Sequence, residues 1–159
     1  MSVSNPISAH PSYAELHCIS NFSFLRGASH PEELVEQAYK LGYTALAITD
    51  ECSFAGVVRA HVAAKKLGLH LIIGTEIHLA DGPRLVLLAQ NQTAYSEISQ
   101  LITIGRRRCE KGSYRLLRAD LEATLKHTLI VWLVGASQSE RDEAGWLVEH
   151  FAQQVWIAI

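Results

Sequence analysis

The sequence is short of cysteine: Cys18, Cys52 and Cys109 are its three, odd in number, far apart and in no C-x-x-C spacing. That excludes a disulfide framework and a structural zinc knuckle, and it points to a reducing cytoplasm. Positive charge is also in short supply. Lys and Arg number 14 against 16 Asp plus Glu, a net charge of −2. No global basic field exists for non-specific nucleic-acid binding, so any such contact has to be local or come from another part of a larger molecule. No apolar run approaches the roughly 18 residues of a membrane helix. Residues 1–12 lack the basic start and apolar centre of a signal peptide and read as a loose leader. Internal repeats and low-complexity linkers are missing too, which leaves one domain over residues 13–159.

What is present is an ordinary globular composition, 48% hydrophobic and 8% aromatic, arranged around one stretch. Two apolar runs, Ala45-Leu46-Ala47-Ile48-Thr49 and Leu69-His70-Leu71-Ile72-Ile73, each lead to acids: Asp50 and Glu51 after the first, Glu76 after the second. Between them Ser53 is expected to cap a helix from Phe54 to Leu67 that stops at Gly68. Strand, helix, strand in this order brings the carboxyl ends of parallel strands to one face, where α/β folds place their ligand chemistry. The acids fall at that face.

The rest of the chain extends this unit. Tyr13–Ile19 reads as a first strand, followed by the polar and aromatic loop Ser20–Gly27 and a helix from Pro31 to Leu41 with Ser29 as its cap. Glu76–Leu79 and Arg84–Ala89 read as strands around the turn Asp81-Gly82-Pro83. Thr93–Arg108 has a helical apolar face and ends in Arg106-Arg107-Arg108, a solvated helix end or a phosphate contact. A short helix over Ala119–Leu125, a strand over Thr128–Val134, a helix over Glu140–Phe151 capped by Ser139 and a strand over Val155–Ile159 complete the chain. About six strands alternating with helices predict a mainly parallel α/β architecture. An apolar strand at Ile159 with nothing to cover it would leave a sticky edge, so the chain is expected to be part of a larger barrel and to associate when isolated.

The residues Glu15-Leu16-His17-Cys18-Ile19 with Ser20–Ser29, then Ala47-Ile48-Thr49-Asp50-Glu51 and Ile72-Ile73-Gly74-Thr75-Glu76, resemble the N-terminal PHP (polymerase and histidinol phosphatase) domain of bacterial family C DNA polymerases. Within that family the chain is most similar to the error-prone, damage-inducible branch. The resemblance covers Tyr13–Ile159 and implies a PHP-type distorted (β/α)7 barrel, present here as an incomplete N-terminal part. It implies translesion synthesis and damage-induced mutagenesis for the parent polymerase. The polymerase carboxylates lie outside this chain, so no residue here is assigned to nucleotide transfer. The implied partners are the remainder of the polymerase chain, DNA through it, and other translesion or replication proteins.

Active PHP domains hold divalent metals in a His, Asp and Glu cluster that activates water against a phosphoester. By resemblance, His17 and Glu76 match ligand positions, while Ile19 stands for a second histidine, Arg26 for a carboxylate, Glu51 for a histidine and Arg84 for another histidine. Ile19 has no lone pair, and two arginines oppose a cation. The expectation is a degenerate site: His17, Glu51 and Glu76 as the remaining candidate metal ligands for Mn, Zn or Mg, with Asp50, Arg26 and Arg84 at the mouth without ligating. The domain would then be a structural support and interaction surface. The alternative is a metal-dependent phosphoesterase of exonuclease or pyrophosphatase type using His17, Glu51 and Glu76. A third reading is a truncated gene product with no independent role. Ordinary roles stand beside these: His17 as a hydrogen-bonded core histidine, Glu51 and Glu76 in ion pairs with Arg26 or Arg84, and His61, His70 and His78 as surface residues. His127 and His150 would sit near helix ends, and Cys52 would be a thiol without a base.

Overall fold

All four residues of Ala45–Ile48 are buried, the pattern of a strand covered on both faces. Leu46 and Ile48 pack outward against Val35 and Ala38 of one helix and Ala60 and Ala64 of another. Ala47 faces the other way, toward Val86 and Leu88. The computed structural model describes residues 12–135 and 140–158. In chain order the elements are β1 (Ala14–Cys18), α1 (Pro31–Lys40), β2 (Ala45–Ile48), α2 (Val57–Leu67), β3 (His70–His78), β4 (Arg84–Ala89), α3 (Gln92–Arg107), α4 (Arg118–Thr124), β5 (Leu129–Leu133), α5 (Glu140–Phe151) and β6 (Val155–Ala158).

The described strands form one six-stranded sheet in sequence order. β1–β2, β2–β3 and β5–β6 pair in parallel, whereas β4 runs antiparallel to both β3 and β5. The sheet is therefore mainly parallel, with one reversed strand. Only the turn Asp81-Gly82-Pro83 and its neighbours separate β3 from β4, too few residues for a crossover, so a hairpin is forced. The segment 70–78 is one continuous strand where the sequence suggests two shorter pieces.

Helices cover the convex side. Under α3, α4 and α5 lies a core with Ile77, Leu85, Leu87, Ile98, Leu121 and Leu147 fully or nearly fully buried, each such side chain stabilising the fold by about 2 kcal/mol. The concave side is lined by Ala47, Val86 and Leu88 with the partly buried Leu129, Val131 and Leu133. The sheet curls until its two edges, β1 at Tyr13–His17 and β6 at Trp156–Ala158, border a common cleft of about 500 Å³. This is a curled half-barrel.

Two helix starts differ from the sequence expectation. α1 is capped at His30, not Ser29, because the Glu33 carboxylate accepts the His30 N–H at 2.7 Å and satisfies the helix entry from inside its first turn. α2 begins at Val57 instead of Phe54, because the Ser53 hydroxyl is spent on the Ala55 N–H in a preceding turn. Its other end agrees: Gly68 adopts φ +74, a left-handed C-cap that glycine takes without a Cβ penalty. The expected cap Ser139 lies outside the described residues.

Candidate functional site

Because β1, β2 and β3 are parallel, their carboxyl ends meet, and there His17, Glu51 and Glu76 come together; Glu51 and Glu76 even pair as a one-residue continuation of the β2–β3 ladder. β4 runs the other way, so its first residue, Arg84, arrives at the same end opposite His78. Arg26 enters from the β1–α1 loop.

Glu76 is the centre of the cluster and only 2% exposed. Its Oε1 accepts from Arg26 Nη1 at 2.8 Å and Arg84 Nη2 at 3.1 Å, and its Oε2 accepts from Arg26 Nη2 at 3.1 Å and lies 2.7 Å from His17 Nε2. Burial by itself raises a carboxyl, but the hydrogen bonds from His17 and Arg26 and the charges of Arg26 and Arg84 outweigh it and bring Glu76 down to about 2. Arg26 Nη1 also donates to Glu51 Oε2 at 2.9 Å. These two carboxylates hold the Arg26 proton more firmly still, raising its already high value.

The other Glu51 oxygen, Oε1, accepts from the Tyr114 hydroxyl at 3.0 Å. Burial, reinforced by the Glu51 charge, pushes the Tyr114 phenol upward, so it stays a neutral donor. Arg106 donates to the carbonyls of Glu51 and Cys52 at 3.0 and 3.1 Å and lies 5.2 Å over the Tyr114 ring. The first arginine of the Arg106-Arg107-Arg108 run is thus a bolt between α3 and the mouth, not a solvated helix end. Tyr114 escaped the sequence reading because it sits in an irregular segment and nothing in its neighbourhood marks it, and the Arg106-Arg107-Arg108 run gave no sign that its first member turns to the mouth.

Asp50 does not join the cluster. It is 1% exposed and turned beneath the mouth, where Oδ1 accepts from the Ser20 N–H and the Ser23 hydroxyl at 2.8 Å each and Oδ2 accepts from the Ser20 hydroxyl at 2.7 Å. Gly27 closes the loop so tightly that a Cβ there would lie 2.0 Å from the Ser20 carbonyl oxygen. Cys52 is buried with its thiol raised to about 11, burial outweighing the opposing Arg106 charge, so it supplies no thiolate. His61, His70 and His78 are exposed, His127 binds Glu97, and His150 Nδ1 lies 3.0 Å from the Trp146 carbonyl oxygen.

The donor set does not suit a divalent ion. Both oxygens of Glu76 are taken by guanidinium groups and His17, both of Glu51 by Arg26 and Tyr114, and Ile19 offers no ligand. Among the described residues no group of three or more His, Cys, Asp or Glu is arranged to hold a metal. The guanidinium of Arg26 sits between the carboxylates as a cation bonded into the chain.

Known proteins match this chain throughout. An error-prone DNA polymerase from Dechloromonas aromatica is 56% identical over 154 residues, 94% of this chain and 15% of that polymerase. One from Methylococcus capsulatus is 55% identical, over 96% of this chain and 14% of its own length. The chain thus spans about one-seventh of the curated relatives it matches. Among solved structures, a candidate metal-dependent phosphoesterase from Bifidobacterium adolescentis superposes with a TM-score of 0.65 at 18% identity, covering 93% of this chain and 77% of that one. An amidohydrolase from Chromobacterium violaceum does so with 0.60 at 15% identity, covering 86% and 74%. At such identities the likeness concerns the fold. The PHP domain family model matches residues 15–158, and with that span, the curled half-barrel and the polymerase relatives in agreement, the chain belongs to the PHP domain family.

Proposed function

We propose that this chain is the N-terminal PHP portion of an error-prone DNA polymerase acting in translesion synthesis and damage-induced mutagenesis, where it serves as a structural support and interaction surface and performs no phosphoester hydrolysis. Its partners on this reading are the remainder of the polymerase chain, DNA through that remainder, and other translesion or replication proteins in the cytoplasm. The observation that carries the non-hydrolytic role is the pair of arginines on Glu76. A metal-assisted hydrolase needs free lone pairs on its carboxylates and a net negative hole for the ion. Here Arg26 and Arg84 occupy lone pairs of Glu76 and neutralise its charge, which speaks against both requirements.

Calorimetric titration with Mn²⁺ and with Zn²⁺ tests this. The expected result is no stoichiometric heat for the chain as it stands. A tight one-to-one site that disappears in His17→Ala would overturn the non-hydrolytic reading's basis and revive the phosphoesterase alternative with His17, Glu51 and Glu76 as ligands.

A further inference from the structure

The β1–α1 loop does more than deliver Arg26. Between Ser23 and Arg26 it carries Phe24 and Leu25, 84% and 90% exposed, the two most exposed large apolar side chains among the described residues. Leu25 has φ +61, the left-handed region that a leucine occupies only when its surroundings enforce it.

The enforcement is visible on both sides. Before the tip, Ser23 is 3% exposed and its hydroxyl is bound to Asp50, while its carbonyl accepts the Arg26 and Gly27 N–H groups at 3.0 Å. After the tip, Arg26 is bound to Glu51 and Glu76. The loop base is closed by the Asn21 N–H on the Ser29 carbonyl at 2.9 Å. The segment is braced, and the brace turns two large hydrophobes into water. Exposed apolar residues are ordinary where regular helix geometry presents them, as with Val58 and Val62 of α2, which stand one turn apart beside α1. An adjacent pair held outward in a strained backbone is a different arrangement, and it resembles a preorganised anchor.

We propose that Phe24 and Leu25 form a docking tip that inserts into an apolar pocket of the remaining polymerase polypeptide, and that the arginine–carboxylate cluster beneath serves to hold this tip in shape. The inference rests on the polymerase reading above. Its occupant follows from size. Two side chains offer only a few hundred Å² (an aromatic ring buries roughly 150–250 Å²), whereas a free protein–protein complex needs about 800 Å² from each partner. So small an anchor suits a contact within one polypeptide, where tethering supplies an effective concentration in the millimolar range. In the curated relatives about six-sevenths of the polypeptide lies outside the matched region.

The test is a chimera in which this chain replaces the matched N-terminal region of the Dechloromonas aromatica polymerase. Protease release of the N-terminal piece is followed for the parent chimera, for Phe24→Ser/Leu25→Ser and for Leu25→Gly. Release is expected to be about tenfold faster in the double variant, the effect of one lost anchor. The unfolding temperature of the 159-residue chain alone should be unchanged by the double variant. Leu25→Gly should accelerate release in the chimera while raising the unfolding temperature of the isolated chain, because it relieves the left-handed strain; a purely structural role would not move the two in opposite directions. Equal release in parent and double variant overturns the docking tip but leaves the polymerase reading in place. A parent piece cut free as fast as an unstructured linker overturns both. A concentration-dependent dimer of the isolated chain that the double variant abolishes assigns the tip to a second copy and overturns the intramolecular occupant.

Discussion

Glu32 and Glu76 are both paired with arginine, and the two pairings are not alike. Glu32 at the start of α1 meets Arg59 of α2 with side chains 32% and 48% exposed, partly open to water. Glu76 is 2% exposed and is approached by Arg26, Arg84 and His17 together. Water screens the first pair and competes for its hydrogen bonds, so its net effect on stability is small. Glu76 itself is shielded from water by its partners, so removing one takes a hydrogen bond from a buried carboxylate. Burial, more than the count of opposite charges, separates a decorative ion pair from one that determines local structure.

The largest effect should come from Glu76→Ala, which leaves Arg84 and His17 without their acid and Arg26 with Glu51 alone. A loss of about 3 kcal/mol is expected in denaturant unfolding, and a loss near zero would place the two regions on one footing. Acid is the next probe. The Glu76 carboxyl is about 2 in the folded chain against an ordinary 4.5, so the unfolded chain binds more protons between these values. Its contribution is complete above pH 5 or so and is lost as pH falls toward 2, on the order of 3 kcal/mol. Comparing wild type with Glu76→Gln over that range isolates it: the variant's curve should be flatter, and parallel curves would sink the assignment. The smallest effect belongs to Arg59→Ala, for which the denaturant midpoint should not move measurably.

Much of this was legible in the sequence, and what was not has physical causes. The strand–helix–strand unit showed itself through two apolar runs, a glycine stop and acids after each run: β2 is buried on both faces, which demands such a run, and the half-buried start of β3 lies beside it. The antiparallel pairing of β4 was obscured by the alternation of strands and helices elsewhere, although the short Ala80–Pro83 link contained the signal. Cap positions slipped by one to three residues because Ser29 and Ser53 compete with Glu33 and with local turns for the same N–H groups. The mouth itself divided. His17, Arg26, Glu51, Glu76 and Arg84 follow from strand ends and from the resemblance, but Arg106 and Tyr114 come from 54 to 63 residues farther along the chain; the arginine run marks a helix end without naming its partner, and nothing local marks Tyr114.

The reversal at the β3–β4 hairpin has a kinetic side. Arg84 reaches Glu76 across only 8 residues of chain, whereas Arg26 and His17 must close loops of 50 and 59 residues to the same carboxylate. Loop-closure entropy makes the longer closures costlier by about 1.5 kcal/mol. The hairpin therefore places one arginine on Glu76 early in folding, and the Arg26 loop latches onto a half-neutralised acid late. Folding kinetics of Arg84→Ala and Arg26→Ala should give the higher φ-value to Arg84, and the reverse order would mean that the loop organises before the hairpin. On this timetable the acid is already accompanied when its partners from farther away in the chain arrive, and a bare buried carboxylate never has to form along the way.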